Sequence, residues 1–430
     1  MHNASPSTPA NPALHPVPER AVPWAYVRLQ WLPAWLGRRI FGKPLAPTAA
    51  EWRAVQQALW QGDPAMDKVV AWMFEGSARD NKALFEQALM QGLDSLENPP
   101  APLREFFARI DNPPDWLNPQ LLEEGAHAAQ LGGMVAFYVL RDMALMGGYV
   151  YFNSMNQTLE PAGALHKDTS LRLGETGKWL QDVTEPGGLS RFNSGFTTTL
   201  RVRLVHALIR RQLQSRPQWQ SEKWGVPINQ MDMLATYLAF GPVTLTGSRL
   251  FGVPVGKKES AAVLHMWRYI GWLSGLDDQW LAETEGDGLR KLYHTFLTHR
   301  LPDEKIRMLG QALMREPLQR HLPDMEDKPR RAKLKRWWLY QLHLSNSALI
   351  LGPVQRHRLG LPMLIVPWYP LLSAPFRFCK LCWYRWRGGA ALERLTQQGR
   401  AQQQALLRSY FNTREIDIIR PAAGHPASVE

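Results

Sequence analysis

Apolar side chains recur at helical spacing along most of this chain, and this pattern restricts its fold more than any other feature. In the clearest case, leucines stand every four positions, at Leu200, Leu204 and Leu208. Comparable patterns occur at 48–96, 119–153, 168–184, 196–215, 228–251 and 259–274. The apolar–polar alternation of half-buried strands is not convincing anywhere, and no repeat period is found. The sequence therefore predicts an all-α protein.

Charge and aromatic content restrict the partners of such a protein. The 430 residues include 50 Lys and Arg against 38 Asp and Glu, so the net charge is 50 − 38 = +12. This balance points to an anionic partner, either nucleic acid, membrane lipid or the propionates of a cofactor. The 18 tryptophans indicate a large apolar cavity or an interfacial belt, although a deep core also uses them.

The basic run KPRRAKLKRWW at 328–338 could hold phosphate and stack bases. A solvated helix face is the commoner outcome for such a run, and no nucleic-acid-binding signature accompanies it. Nucleic acid is therefore not an expected partner. The segment 24–43, rich in Trp, Leu and Arg, is either an interfacial anchor or an arm folded over the core.

Two apolar stretches come nearest to a membrane span, and neither reaches the ~18–20 clean residues required. Prolines interrupt 359–376, and Arg141 and Asp142 lie at the centre of 134–152. Residues 1–20 lack the basic start and apolar run of a secretory signal. We expect a cytoplasmic protein, with peripheral contact to an anionic membrane as an option.

The two cysteines, Cys379 and Cys382, form a single CxxC pair. A zinc site would need two further ligands, and one pair does not make a disulfide framework. We interpret them as mostly buried hydrophobic residues, with a redox pair as the alternative.

One histidine stands out for its surroundings. His206 lies in the apolar helical segment VRLVHALIRR, with Arg203 three residues before it and Arg210 four residues after it. Such a histidine is either a hydrogen-bonded core residue or a single axial ligand to haem iron, for which nearby arginines can hold the propionates. His294 and His299 are five residues apart, which does not place them on a common helix face for a shared metal.

Several short motifs in a fixed order carry a resemblance. Arg172 and Thr176 stand one helical turn apart, and His206 follows the threonine after thirty residues, within the words RLxxT and VRLxHAxIR. This arrangement resembles the bacterial latex-clearing rubber oxygenases and the related fungal MpaB-type oxygenases. Three further segments are similar to that family: GDPAMDKVV at 62–70, PINQMD at 227–232 with Thr236 and Phe240, and 351–362 with Arg356 and its LGLP ending.

The resemblance implies a function and a set of roles. The chain would be a haem b-dependent oxygenase that uses O2 to cleave a double bond of an apolar, isoprenoid-like or lipid-like substrate. His206 would be the axial ligand of the haem iron, and Arg172 and Thr176 would line the haem pocket. Arg210, one helical turn after His206, would support the cofactor indirectly. The implied fold is a single large helical domain with a globin-like haem-binding core and extra helices.

Two positions depart from the family's pattern. The lysine that can cap the iron in the rubber oxygenase is replaced by Glu175, and the acidic residue twenty positions before the threonine is replaced by Asn156. Glu175 or Glu160 could supply the missing carboxylate, and Glu175 is also placed to be a surface partner of Arg172. The departures leave two alternatives open: a non-catalytic haem-binding or lipid-binding protein of the same fold, or a peripheral membrane-binding helical protein.

The predicted organisation follows from these segments. It comprises a disordered tail at 1–20, an N-terminal arm at 21–54, a helical catalytic domain at 55–390, and a C-terminal helix with a polar tail at 391–430.

Overall fold

The structure, a computed structural model, describes residues 15–29, 31–159 and 169–411. Within these ranges the chain is a single domain of α-helices joined by short connections, with two π-helical segments and no strand. The predicted all-α fold is confirmed.

The helices follow the predicted periodicity closely. In chain order they are α1 (Trp24–Arg28), α2 (Trp31–Phe41), α3 (Ala49–Ala58), α4 (Pro64–Met73), α5 (Ala78–Gln91), α6 (Ala101–Ile110), α7 (Pro119–Gln130), α8 (Met134–Tyr138), α9 (Met146–Tyr151), α10 (Thr169–Thr184), α11 (Ser194–Gln214), α12 (Ser221–Trp224), α13 (Gln230–Leu238), α14 (Thr244–Leu250), α15 (Lys257–Leu273), α16 (Glu285–Phe296), α17 (Ile306–Gln319), α18 (Pro329–Ser347), α19 (Pro353–Arg358), α20 (Trp368–Trp386) and α21 (Gly389–Phe411). The 3-10 turns are Leu93–Ser95, Asn153–Thr158, Asp278–Trp280 and Pro323–Met325.

Helix α11 lies at the centre of the largest core cluster. Its leucines Leu200 and Leu204 are buried, and α4, α10 and α15 pack around it. Because a helix buries only one stripe against each neighbour, contact on several sides leaves α11 largely enclosed. The residues on this helix are therefore held in a fixed position.

Two π-helical segments each join a pair of α-helices into one continuous helical run. They are Val139–Leu145, between α8 and α9, and Ala239–Val243, between α13 and α14. In the second, Pro242 has no amide hydrogen and cannot continue a regular ladder, and the Thr244 hydroxyl donates to the Ala239 carbonyl (2.8 Å). π-Helical segments occur frequently at functional sites, and here the two segments contact each other.

Glycines allow two close helix contacts. A Cβ at Gly125 of α7 would lie 2.4 Å from the Ala262 carbonyl oxygen of α15. Gly133, with φ +50°, breaks the predicted 119–153 helix after α7, and its Cα would lie 2.9 Å from a Cβ at Gly399 of α21. The backbones of Gly133 and of α21 therefore approach each other closely.

The N-terminal segments pack on the helical body more than the sequence indicates. Arg20 is buried; its guanidinium pairs with Asp232 (2.6 Å) and donates to the Thr298 carbonyl (2.9 Å). Arg20, the last residue of the segment for which a disordered tail is expected, is thus attached to α13 by a buried ion pair. Residues 1–14 lie outside the described part of the chain.

The CxxC pair is exposed, so the prediction that both cysteines are buried is wrong. Cys379 and Cys382 are three residues apart on α20 and share one helix face. The residue between them that packs inward is Leu381. Among the described residues, no helix is both long and apolar enough to cross a membrane.

Candidate functional site

A large, mostly apolar cavity runs through the interior. Its volume is about 1850 Å³, against roughly 300–1,000 Å³ for ordinary small-molecule pockets. Residues of α9, α10, α11, α13, α15, α18, α21 and both π-helical segments line it. The space is large enough for a broad cofactor together with an apolar substrate.

His206 lines this cavity from the middle of α11. Burial lowers the pKa of its imidazole to about 4, and the positive charge of Arg210 adds to that effect. The ring is therefore neutral at pH 7, which is the form that ligates a metal. Within the described residues no hydrogen bond engages this imidazole, so the first interpretation, a hydrogen-bonded core histidine, lacks its partner.

Two ion pairs hold α11 in place on either side of His206. The Arg203 guanidinium donates to both carboxylate oxygens of Asp63 (2.5 and 2.8 Å) and to the Leu273 carbonyl (3.1 Å). One helical turn beyond His206, Arg210 pairs with Asp67. The two aspartates belong to the GDPAMD motif, so that motif positions the histidine helix.

The electrostatics of the two aspartates differ. Burial by itself raises the pKa of Asp63, but the charge and hydrogen bonds of Arg203 outweigh it and hold the pKa below its usual range. Burial raises the pKa of Asp67, and the charge of Asp63 adds to this despite the Arg210 pair. The Asp63–Arg203 pair is therefore the firmer of the two attachments.

Arg210 is not among the residues that line the cavity, so any support that it gives a cofactor would act through α11. Its guanidinium is buried and donates to Asp67 and to the carbonyls of Pro227 (3.2 Å) and Ile228 (3.0 Å). A position four residues from His206 lies on the same side of the helix only approximately, and here the long side chain turns toward α4. Arg210 positions α11 instead.

The other predicted residues come together on α10. Arg172, Glu175 and Thr176 all line the cavity, because positions three and four apart share a helix face. The Arg172 guanidinium hydrogen-bonds the hydroxyl of Tyr149 on α9. A cation, a carboxyl and a hydroxyl thus border the same space as His206.

Asn156, at the position of the family's acidic residue, also lines the cavity. Its amide nitrogen donates to the Asp303 carboxylate (2.6 Å) and to the Tyr149 carbonyl (3.2 Å). Asp303 is a carboxylate that the sequence did not reveal at this position. The alternative carboxylate, Glu160, lies outside the described residues.

An aromatic wall forms another side of the cavity. Phe240 stacks on Trp267 (centroids 5.2 Å apart, interplanar angle 24°), and Trp179 meets Phe240 edge-on (5.1 Å, 83°). The Trp179 indole donates to the Thr199 hydroxyl (3.0 Å). The expectation that the tryptophans line a large apolar cavity is confirmed for Trp179 and Trp267.

Sequence reasoning missed several polar groups on the cavity wall, and His343 is the one with a buried carboxylate partner. His343 of α18 lines the cavity and bonds Asp142, which lies in the first π-helical segment. The available signal was the pair Arg141 and Asp142 inside an apolar stretch, since buried charges are rarely without a function or a partner. Their partner, two hundred residues away, cannot be found from local pattern.

The residues present fit a haem group. Within the described part of the chain, no three His, Cys, Asp or Glu side chains cluster as a metal site. Two histidines, His206 and His343, line the cavity, and His206 is the one to which the family resemblance gives the ligand role. A Cβ at Gly148 would meet no atom within 4 Å, so the backbone there borders open cavity and admits a flat group. Arg172 supplies a cation of the kind that holds a propionate.

Comparison with known proteins identifies a family. Residues 132–383 match the family described as ER-bound oxygenase mpaB/B'/Rubber oxygenase, catalytic domain. The rubber oxygenase of Streptomyces sp. (strain K30) is 27% identical over 203 residues, covering 46% of this chain and 47% of that protein. The chain thus spans about half the length of the curated relative it matches.

A solved structure, described as latex clearing protein LCP in the closed state, is similar in fold. The TM-score is 0.54 at 19% sequence identity, and the match covers 82% of this chain and 90% of that one. Since the family match covers more than half of the sequence, the chain belongs to the mpaB/B' and rubber oxygenase catalytic-domain family.

Proposed function

We propose that this protein is a haem b-dependent oxygenase that cleaves a carbon–carbon double bond of an apolar, isoprenoid-like or lipid-like substrate with O2. The observation that carries the proposal is the neutral, unbonded imidazole of His206 on the wall of a cavity larger than ordinary pockets. Membership of an oxygenase family supports the reaction class.

Named residues would hold the cofactor. His206 would bind the iron, Arg172 would pair with a propionate, and the open space at the backbone of Gly148 would leave room for the ring system. When bound, the haem supplies the O2 chemistry. The Asp63–Arg203 pair keeps α11 in register, so that the imidazole stays aimed into the cavity.

The chain's own residues would orient the substrate and move a proton. The Trp179, Phe240 and Trp267 wall binds an apolar chain and excludes water. The carboxylate oxygen of Glu175 would accept an allylic proton or orient the alkene, and the Thr176 hydroxyl lies one residue away on the same cavity wall.

Membrane contact belongs to the same proposal, because apolar residues face outward on two helices. On α20 the side chains of Leu372 and Phe376 are 74% and 73% exposed, and on α2 Ile40 is 64% exposed. Arg377 and Lys380 accompany the first group. Apolar and basic residues on one surface are typical of an interfacial helix on anionic lipid.

A non-catalytic haem-binding or lipid-binding protein is the second candidate. The observation that favours it is Asn156, which occupies the position of the family's acid and is engaged with Asp303. Uptake of O2 in the presence of a terpenoid or polyisoprene oligomer separates the two candidates.

The absorption spectrum of the protein purified from haem-replete cells tests the proposal. We expect a Soret band with about one haem per chain, because the proposal assigns a single histidine, His206, to the iron. His206→Ala removes the band, whereas His294→Ala keeps it, since His294 is buried but bonds the Leu45 carbonyl away from the cavity.

The same assay separates binding from turnover. Glu175→Gln retains the Soret band and loses most O2 uptake if the carboxylate is the base, by about 10²-fold or more. A colourless protein, or a band unchanged in His206→Ala, contradicts haem ligation by His206. Unchanged uptake in Glu175→Gln removes this residue from the mechanism.

A further inference from the structure

A buried polar cluster that the family resemblance does not point to borders the same cavity. At its centre is Asp142, which is fully buried. Its carboxylate accepts hydrogen bonds from Arg141 (2.7 Å), from Nδ1 of His343 (2.8 Å) and from the Asn346 amide (2.8 Å). Three donors on one carboxylate show that the group is ionised and immobile.

The proton positions in this cluster follow from the charges. Burial would raise the pKa of Asp142, but the neighbouring His343 and Arg141 outweigh it and hold the pKa below its usual range. Burial, assisted by Arg141, lowers the pKa of His343 to about 4. At pH 7 the imidazole is therefore neutral with its proton on Nδ1, toward Asp142, and Nε2 carries a lone pair.

The second ring nitrogen is available to a ligand. His343 lines the cavity, and among the described residues no hydrogen bond engages Nε2. The ring lies edge-on to Tyr138 (centroids 5.9 Å apart, 74°), which restricts its rotation. The result is a fixed hydrogen-bond acceptor in an otherwise largely apolar wall.

The surroundings favour a neutral ligand. Arg320 also lines the cavity, but Glu316 binds it in a bidentate pair (2.8 and 2.6 Å), and Arg141 is paired with Asp142. Two cations face two carboxylates, so this part of the wall has no net charge. A carboxylate or phosphate beside His343 would find both of these guanidinium groups already paired. Lys335, two turns before His343 on α18, lines the cavity as well, but its side chain is exposed to solvent.

We propose that Nε2 of His343 accepts a hydrogen bond from the hydroxyl group of an otherwise apolar ligand, so that the cavity selects a neutral isoprenoid or long-chain alcohol. The inference rests on the proposed function in placing the substrate in this cavity. His343 would act as a specificity-determining residue, with Asp142 as its positioning residue.

The physical reason is the cost of an unpaired hydroxyl. An alcohol that enters an apolar cavity without a hydrogen-bond partner loses its bonds to water and binds more weakly than the matching hydrocarbon. An acceptor on the wall removes this loss. The relative affinity of an alcohol and its hydrocarbon therefore reports whether the acceptor is used.

Isothermal titration calorimetry on the as-isolated protein tests this with geraniol and its hydrocarbon counterpart, 2,6-dimethylocta-2,6-diene. We expect geraniol to bind at least as tightly as the hydrocarbon. His343→Leu, which removes the acceptor at similar volume, should weaken geraniol binding about tenfold and leave hydrocarbon binding unchanged, as expected for the loss of one hydrogen bond.

Two further variants serve as controls. His294→Leu removes another buried histidine outside the cavity wall and should change neither affinity. His343→Gln restores an acceptor and should recover part of the geraniol affinity even if the leucine variant does not fold. Two results would overturn the inference. One is an equal loss of affinity for geraniol and for the hydrocarbon in His343→Leu, and the other is wild-type protein that binds the hydrocarbon tenfold more tightly than geraniol.

The haem content of each sample distinguishes the two proposals. A protein without a Soret band that still prefers geraniol, and loses that preference in His343→Leu, contradicts the haem proposal alone. A haem-loaded protein with no alcohol preference contradicts the His343 proposal alone.

Discussion

At the scale of single residues, buried charges fix the position of the helix that carries His206. Asp63 and Arg203 are both buried and satisfy each other through two hydrogen bonds, with the Leu273 carbonyl as a third partner. Gly275, with φ +92°, leaves room for them, since a Cβ there would lie 2.4 Å from the Asp63 carboxylate. The two aspartates of the GDPAMD motif are thus spaced so that both pair with arginines of α11, the helix that carries His206.

Asp63→Asn should lower the free energy of unfolding by about 3–5 kcal/mol, because Arg203 would remain buried without its counter-charge. Chemical denaturation measures the change. The matched control is Glu105→Gln, which breaks the exposed Lys68–Glu105 pair and should cost less than about 1 kcal/mol. Equal effects of the two substitutions would show that the buried pair does not hold α11.

The pH dependence of this difference has a defined sign. The pKa of Asp63 is depressed in the folded state, so its stabilisation is complete above the unfolded value of about 3.9 and is lost as the pH falls through the folded value. The gap between wild type and Asp63→Asn should therefore be full at pH 7 and narrow in acid below about pH 4. A gap that widens in acid would contradict the assignment.

At the scale of elements, the surroundings of a helical glycine differ between helices that pack closely and helices that border the cavity. Gly125 of α7 meets the backbone of α15, whereas Gly148 of α9 faces open cavity. Both glycines lie inside helices, and nothing in their local sequence tells which of them meets a neighbouring helix. Only the packing of their helices gives them different roles.

Gly125→Ala should lower the free energy of unfolding by about 1–3 kcal/mol, because the added methyl overlaps the Ala262 carbonyl and pushes α7 from α15. Gly148→Ala should raise it by up to about 1 kcal/mol, since alanine favours the helix and meets no atom. Thermal unfolding of both variants is the measurement. Destabilisation by both to the same extent would contradict the close α7–α15 contact.

At the scale of the whole molecule, two outward-facing apolar surfaces coexist with an apolar interior cavity. We expect the protein to co-sediment at low salt with vesicles that contain phosphatidylserine, and less with neutral phosphatidylcholine vesicles or at high salt. Leu372→Glu with Phe376→Glu should weaken this binding at least tenfold, because both exposed side chains then resist burial in lipid.

Phe74→Glu is the matched control for this experiment, since Phe74 is an exposed aromatic residue at the end of α4. Its substitution should leave vesicle binding unchanged. Equal binding by all three proteins, or no binding of the wild type to anionic vesicles at low salt, would contradict a membrane role for α20.

The sequence by itself determined the helical class, the approximate helix bounds and the residues on α10 that share a face with each other. These depend on local spacing, and a 3.6-residue period is visible without any tertiary information. Arg172, Glu175, Thr176 and His206 could be predicted as cavity residues for that reason and from their resemblance to a family.

Tertiary structure alone decided which long side chains face the cavity and which form ion pairs or hydrogen bonds between helices. Arg210 turns to Asp67 and two backbone carbonyls, Cys379 and Cys382 face outward, and His343 meets Asp142 across two hundred residues. The physical reason is that a buried charge needs a partner, and the fold determines which residue lies close enough to be that partner. The periodicity of a single helix does not indicate which helices pack against it.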